Sequence, residues 1–203
     1  MNSTLIKNFL KKAAEIMCAQ RDNLIQEDSI VGDGDLGLTM SDGFSAAYNA
    51  VKDNGEEDCG KVLYIAGKAM STAVPSTMGT LMASGLMQAG KTLKGKTELD
   101  RDDINEIFKS FLDGVIHRGK ANIGEKTFVD GLNPAIETLI ETKELPLEES
   151  AQKAYMASVK GYNNTKGMIA VHGRAATRGE ASRELLDPGA LVATFIMEAF
   201  YRS

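Results

Sequence analysis

The sequence predicts an all-α domain of about eight helices, and three observations carry that reading. Apolar residues recur three and four positions apart along nearly the whole chain. The alternating pattern of a half-buried strand is scarce. Glycines gather between the periodic stretches: Gly32, Gly34 and Gly37, then Gly79, Gly119 and Gly124, Gly173 and Gly179, and Gly189. The 203 residues make a single domain, residues 1–203, the default, and they are enough to bury a sizeable core.

The elements follow in order. Leu5, Ile6, Phe9, Leu10, Ala13, Met17 and Leu24 keep one helical face, which predicts a first helix running to about Ile25. A second is expected from Thr39 to about Val51, where Asp53-Asn54-Gly55 breaks it. A third runs from about Glu57 to Met70. Thr72 to Gly79 reads as a loop, and a Met- and Ala-rich helix follows to about Leu93. Its Met78, Met82 and Met87 suit core packing better than a partner surface. Ile104, Ile107, Phe108, Phe111, Leu112 and Val115 mark the next stripe. Another holds Leu132, Ala135, Ile136, Leu139 and Ile140, with Pro134 as its start or a kink. Ala151, Ala154, Tyr155 and Val159 form a weaker one. In the last helix, Asp187 is the N-cap, Pro188 takes the first position, and Leu191, Val192, Phe195, Ile196, Ala199 and Phe200 face inward. If neighbouring helices are antiparallel, alternate junctions share one end of the bundle.

Composition narrows the function. The net charge is -5 with no basic stripe, which argues against nucleic-acid binding. No apolar run approaches a membrane span, and the first residues lack the pattern of a signal peptide. Cys18 and Cys59 make neither a disulfide framework nor a metal site, so a reducing cytoplasm is the expected compartment. His117 and His172 are the only histidines, and neither has a nucleophile elbow nearby.

The segment Ile30-Val31-Gly32-Asp33-Gly34-Asp35-Leu36-Gly37 carries the most chemical information. With Asp28 just upstream, three carboxylates sit in one glycine-rich turn. Each pair at about 4 Å costs roughly 4 kcal/mol at an effective dielectric near 20. The cluster therefore splays, takes up protons or holds a cation. With oxygen ligands alone, Mg²⁺, Mn²⁺ and Ca²⁺ are the candidates. A Ca²⁺ loop of the EF-hand kind fails, because Gly37 and Phe44 stand where its later ligands belong. Mg²⁺ takes few protein carboxylates and completes its shell with water and phosphate. A solvated Asp-Gly turn is the plain alternative.

Three further segments belong beside it. Pro75-Ser76-Thr77-Met78-Gly79-Thr80-Leu81 opens a helix with small residues, either as a cap or as a phosphate cradle. Arg118-Gly119-Lys120-Ala121-Asn122-Ile123-Gly124-Glu125-Lys126-Thr127 brings three cations into ten residues, a solvated basic loop or a binding one. Gly173-Arg174-Ala175 precedes Asp187-Pro188-Gly189, and Arg174 is either a surface arginine or a phosphate clamp.

The acidic turn, then Arg-Gly-Lys-Ala-x-x-Gly-x-Lys-Thr, then Asp-Pro-Gly-Ala resembles the nucleotide-binding L subunit family of dihydroxyacetone kinases (DhaL) over essentially the whole chain. The resemblance implies a barrel of eight antiparallel α-helices with a nucleotide and Mg²⁺ site at one end. It implies ADP or ATP bound through two Mg²⁺ ions, with Asp28, Asp33 and Asp35 as metal ligands. It places Leu36, Gly37, Leu38 and Thr39 over the phosphates, Thr77 and Met78 near phosphates and adenine, and Gly119 and Phe128 around the base. Arg174, Asp187, Pro188 and Gly189 take the remaining nucleotide contacts. The length matches a free-standing subunit. Its partners are then a K-type subunit that holds the ketose and an M-type phosphotransferase subunit that rephosphorylates ADP. A homo-oligomer is compatible with the sequence.

Two departures stand out. The family often has His directly after the last acid, where this chain has Leu36, which implies loss of a phosphate-contacting imidazole. The family's Gly-Gly-Ala-Ser-Gly-Pro-Leu is replaced by residues 75–81, which keep only the glycine and leucine. These changes suit a paralogue with a different ketose, such as a four-carbon sugar, or with a different phosphate source, and they leave the metal ligands in place. A nucleotide-sensing binding module and the related domain of fatty-acid kinases are the competing readings. The Arg118–Thr127 match and the lack of a lipid-binding extension argue against the latter.

Overall fold

The computed structural model describes residues 1–203 and contains no β-sheet, only an isolated bridge between Asn2 and Glu98. Nine α-helices form: α1 (Ser3–Ala19), α2 (Arg21–Val31), α3 (Leu36–Val51), α4 (Cys59–Ala73), α5 (Thr77–Thr92), α6 (Arg101–Gly119), α7 (Phe128–Glu141), α8 (Leu147–Asn164) and α9 (Pro188–Tyr201). Between α8 and α9 a strap of 3₁₀ turns spans Arg174–Glu184, interrupted at Gly179. No helix is long and apolar enough to cross a membrane.

Side-chain caps start most helices at sequence-legible places. Asn2 accepts the Thr4 N–H, Asp58 that of Lys61, and Ser76 that of Gly79. Asp100 and Asp103 form a reciprocal capping box on α6. At α7 the Thr127 hydroxyl accepts from Val129, while Asp130 accepts from Thr127 N at 2.8 Å and from Gly124 N at 2.6 Å. Asp130 thereby fastens the preceding loop to its helix. Asp187 caps α9 through Ala190 N at 2.7 Å, with Pro188 at the first position as expected.

Helix packing closes on itself. α1 packs on α3, α3 on α4, α4 on α5, α5 on α6, α6 on α7, α7 on α9, and α9 returns to α1. α8 lies against both α7 and α9. One continuous hydrophobic core fills the interior. There Phe9, Phe108 and Phe200, from α1, α6 and α9, meet edge to face with centroids 4.7 to 6.5 Å apart. α4 and α5 approach most closely where a Cβ on Gly60 would sit 2.5 Å from the Gly90 carbonyl oxygen.

Several boundaries differ from the sequence reading. The first helix does not run unbroken to Ile25. It ends at Ala19, and α2 restarts at Arg21 after Gln20 turns to φ -96°, ψ 7°. α3 begins at Leu36 rather than Thr39, because Gly37 is a packing residue and not a breaker: a Cβ there would lie 2.1 Å from the Arg21 carbonyl oxygen. The loop read over residues 72–79 shrinks to residues 74–76. Pro134 lies inside α7, where the helix continues through it.

Candidate functional site

The turns after α2, α4 and α6 and the segment leading into α9 lie at one end of the bundle, as antiparallel neighbours require. They surround one cavity of about 620 Å³. The first residues of four helices line it: Leu36 of α3, Thr77 of α5, Phe128 of α7 and Pro188 of α9. Helix N-termini carry unpaired N–H groups and the positive end of the helix dipole. Four of them around one cavity make it receptive to an anion.

Acids stand on one wall. Asp28, in the last turn of α2, and Asp33 and Asp35, in the turn that follows, place carboxylate oxygens within 4.8 Å of one another. Asp28 accepts from Leu36 N at 3.4 Å. Burial raises the Asp28 carboxyl above its ordinary range, with the charges of Asp35 and Asp33 adding to the rise and backbone N–H groups opposing it. The donor set therefore fits a hard divalent cation: oxygen only, negatively charged and short of compensation. One cation of the chain already answers it, since Arg174 Nη2 lies 2.5 Å from Asp33 Oδ2.

Lys126 also lines the cavity and is only 2% exposed. Its ammonium donates to the Thr165 carbonyl at 2.6 Å and to the Leu185 carbonyl, the two ends of the segment that carries the strap. Burial lowers the Lys126 pKa, and Asp187 and Asp130 partly restore it. Asp187 is its acidic neighbour, and burial pushes that carboxyl up to about 7. Nearby, His172 Nε2 lies 2.6 Å from Glu125. Glu125 also accepts from the Asn122 side chain and backbone, and these bonds with His172 hold it down at about 2.

The structure assembles most of the residues singled out in the sequence. Asp28, Asp33, Asp35, Leu36, Thr77, Met78, Gly119, Phe128, Arg174, Asp187, Pro188 and Gly189 all line the cavity. Gly37, Leu38 and Thr39 do not. They form the first turn of α3, with Gly37 and Thr39 buried and Leu38 47% exposed. The cation-rich loop divides: Arg118 and Lys120 face solvent and Lys126 faces the interior. Ser76 spends its hydroxyl on the α5 cap. Lys126 and His172 were not marked as site residues by sequence. A lysine eight residues before Pro134 and a histidine beside a glycine give no local sign of burial or cavity lining.

Fold and site together define an all-α domain whose closed bundle opens at one end into an acid-walled, anion-receptive cavity. The DAK2 domain model matches residues 30–202, and the chain belongs to that family. The ADP-binding subunit DhaL of a PEP-dependent dihydroxyacetone kinase from Escherichia coli (strain K12) is 30% identical over 200 residues, covering 98% of this chain and 95% of the relative. An L-erythrulose 1-kinase of Mycolicibacterium smegmatis is 29% identical over 186 residues, which is 90% of this chain and 33% of that one. The crystal structure of the dihydroxyacetone kinase from C. freundii in complex with AMP-PNP and Mg²⁺ superposes with a TM-score of 0.75. It is 19% identical, with 98% of this chain and 34% of that chain covered, a likeness of fold.

Proposed function

We propose that this chain is the ADP- or ATP-binding subunit of a dihydroxyacetone-type kinase, and that it presents a nucleotide phosphate to a ketose held on a separate K-type subunit. The observation that carries the reading is the union, in one cavity, of the Asp28–Asp33–Asp35 cluster with four helix N-termini. The near full-length kinship with an ADP-binding DhaL supports it.

Phosphoryl transfer asks a protein mainly for positioning and charge neutralisation. Asp28, Asp33 and Asp35 would hold Mg²⁺, two ions on the family pattern, which neutralises phosphate charge when bound. The N–H groups at the start of α3 and α5 orient the phosphates, and Arg174 supplies a cation from the strap. Of the lining residues, Thr77, Met78, Gly119 and Phe128 offer the less polar surface on which a base rests, and Asp187, Pro188 and Gly189 supply the remaining nucleotide contacts. No residue here is assigned as an acid or base catalyst. The sugar hydroxyl is activated on the partner, and an M-type phosphotransferase subunit restores ATP from bound ADP.

The test is reconstitution. Purified chain, a K-type subunit, Mg²⁺ and dihydroxyacetone should release the ketose phosphate when ATP, or ADP with an M-type phosphate donor, is supplied. No turnover with any K-type partner, despite tight nucleotide binding, would favour a nucleotide-sensing module instead. The erythrulose-kinase relatives support a second substrate reading, a four-carbon ketose, which the same assay separates by swapping the sugar.

A further inference from the structure

The acid cluster is held by a cation of its own chain, and that contact has a consequence for how the site fills. Resting on the metal and nucleotide reading above, we infer that the Arg174 guanidinium is a tethered counter-ion of the acid cluster, which a divalent cation displaces from Asp33, freeing it for the nucleotide phosphates.

Three observations carry this. First, Arg174 Nη2 occupies Asp33 Oδ2 at 2.5 Å, so an N–H donor already uses an oxygen that a metal would need. A doubly charged ion on the same carboxylates also repels the guanidinium. Second, the pair is weak enough to exchange. The Arg174 side chain is 67% exposed and that of Asp33 44%, and exposed ion pairs contribute little to stability. Third, Arg174 can turn while the strap stays in place. Glycines at positive φ, Gly173 and Gly179, bound its segment with no neighbour within 4 Å of where a Cβ would stand. The strap is fastened independently by His172 to Glu125, Arg178 to the Ile30 carbonyl, and Lys126 to both ends. Displaced from Asp33, the guanidinium remains at the cavity wall, where a bidentate donor suits phosphate.

Arg174 then opposes the metal in the empty site and assists it once nucleotide is present. Because coupling between two ligands is reciprocal, the exchange makes metal and nucleotide bind cooperatively.

Mn²⁺ binding measured by electron paramagnetic resonance tests this with and without ADP, on wild type, R174Q and R118Q, with far-UV circular dichroism confirming the fold. R118Q removes the same charge from an exposed position beside the cavity-lining Gly119 without touching the acid cluster or the strap. Without ADP, R174Q should bind Mn²⁺ about two- to five-fold more tightly than wild type, the span set by an exposed ion pair. R118Q should match wild type. With ADP present, the advantage of R174Q should disappear or reverse. R174Q binding Mn²⁺ no more tightly than wild type overturns the exchange, and so does an equal gain in R118Q, which makes the effect a general field. If none of the three proteins binds Mn²⁺ under either condition, the metal reading itself falls and takes this inference with it.

Discussion

Replacing Lys126 by methionine is the sharpest perturbation of the site's architecture. Met has nearly the length and volume of Lys but no ammonium. In the wild type that ammonium satisfies two carbonyls, Thr165 and Leu185, on either side of the strap. Hydrogen bonds from charged donors contribute about 1.5–3 kcal/mol each, so roughly 3–6 kcal/mol of interaction is removed. Relief of the cost of burying the charge returns part of this, since burial already depresses the Lys126 pKa. The net loss expected is about 2–4 kcal/mol, a sizeable share of a domain's 5–15 kcal/mol. Urea unfolding reads it as a lower midpoint at unchanged m-value. Hydrogen exchange should localise the loosening to residues 165–187. A variant within about 0.5 kcal/mol of wild type, with unchanged protection there, would refute the view that Lys126 ties the strap to the bundle.

Three further outcomes are expected. Asp187, ordinarily near 3.8 and raised by burial to about 7, keeps a proton in the folded state that the unfolded chain has released across that window. Folding stability from this group is therefore greatest below about pH 4 and lost as pH rises to about 7. D187N retains a good N-cap, so its stability should fall less between pH 5 and pH 8 than that of wild type, and equal slopes in urea titrations contradict the assignment. G60A puts a Cβ 2.5 Å from both Gly90 O and Lys94 N, backbone atoms that cannot swing away. It should cost about 1–3 kcal/mol by forcing α4 from α5, read as a lowered melting temperature, and an unchanged melt would show that the contact is not tight. D28N removes a half-buried carboxylate that its neighbours repel, so the metal-free variant should be at least as stable as wild type while its affinity for Mn²⁺ drops. Loss of stability together with retained affinity would reverse both halves of that account.

Much of this was legible in the sequence because the signals were local. Asp187-Pro188 marks the start of α9 by cap and proline alone, and the Ile104–Val115 stripe marks α6 by period alone. The acid cluster was legible because three carboxylates in one turn have few arrangements. The break at Gln20 was not, since no glycine or proline marks it and the apolar spacing continues across it. Gly37 reads as punctuation in the sequence because its partner, the Arg21 carbonyl, belongs to another helix. The helix therefore starts three residues before the expected Thr39. Lys126 and His172 were missed for the same kind of reason. One becomes a buried tie only when α8 and the strap pack around it, and the other meets Glu125 across 47 residues of sequence. Charge in a loop says nothing by itself about which cation turns inward.

The most direct test of the account is a calorimetric titration of ADP into nucleotide-free protein, with and without Mg²⁺, for wild type and D33N. Wild type should bind ADP in a Mg²⁺-dependent way, and that binding should collapse in D33N. Binding that is indifferent to Mg²⁺ and to D33N would separate the acid cluster from the nucleotide. No binding by the wild type with Mg²⁺ present would contradict the proposed function outright.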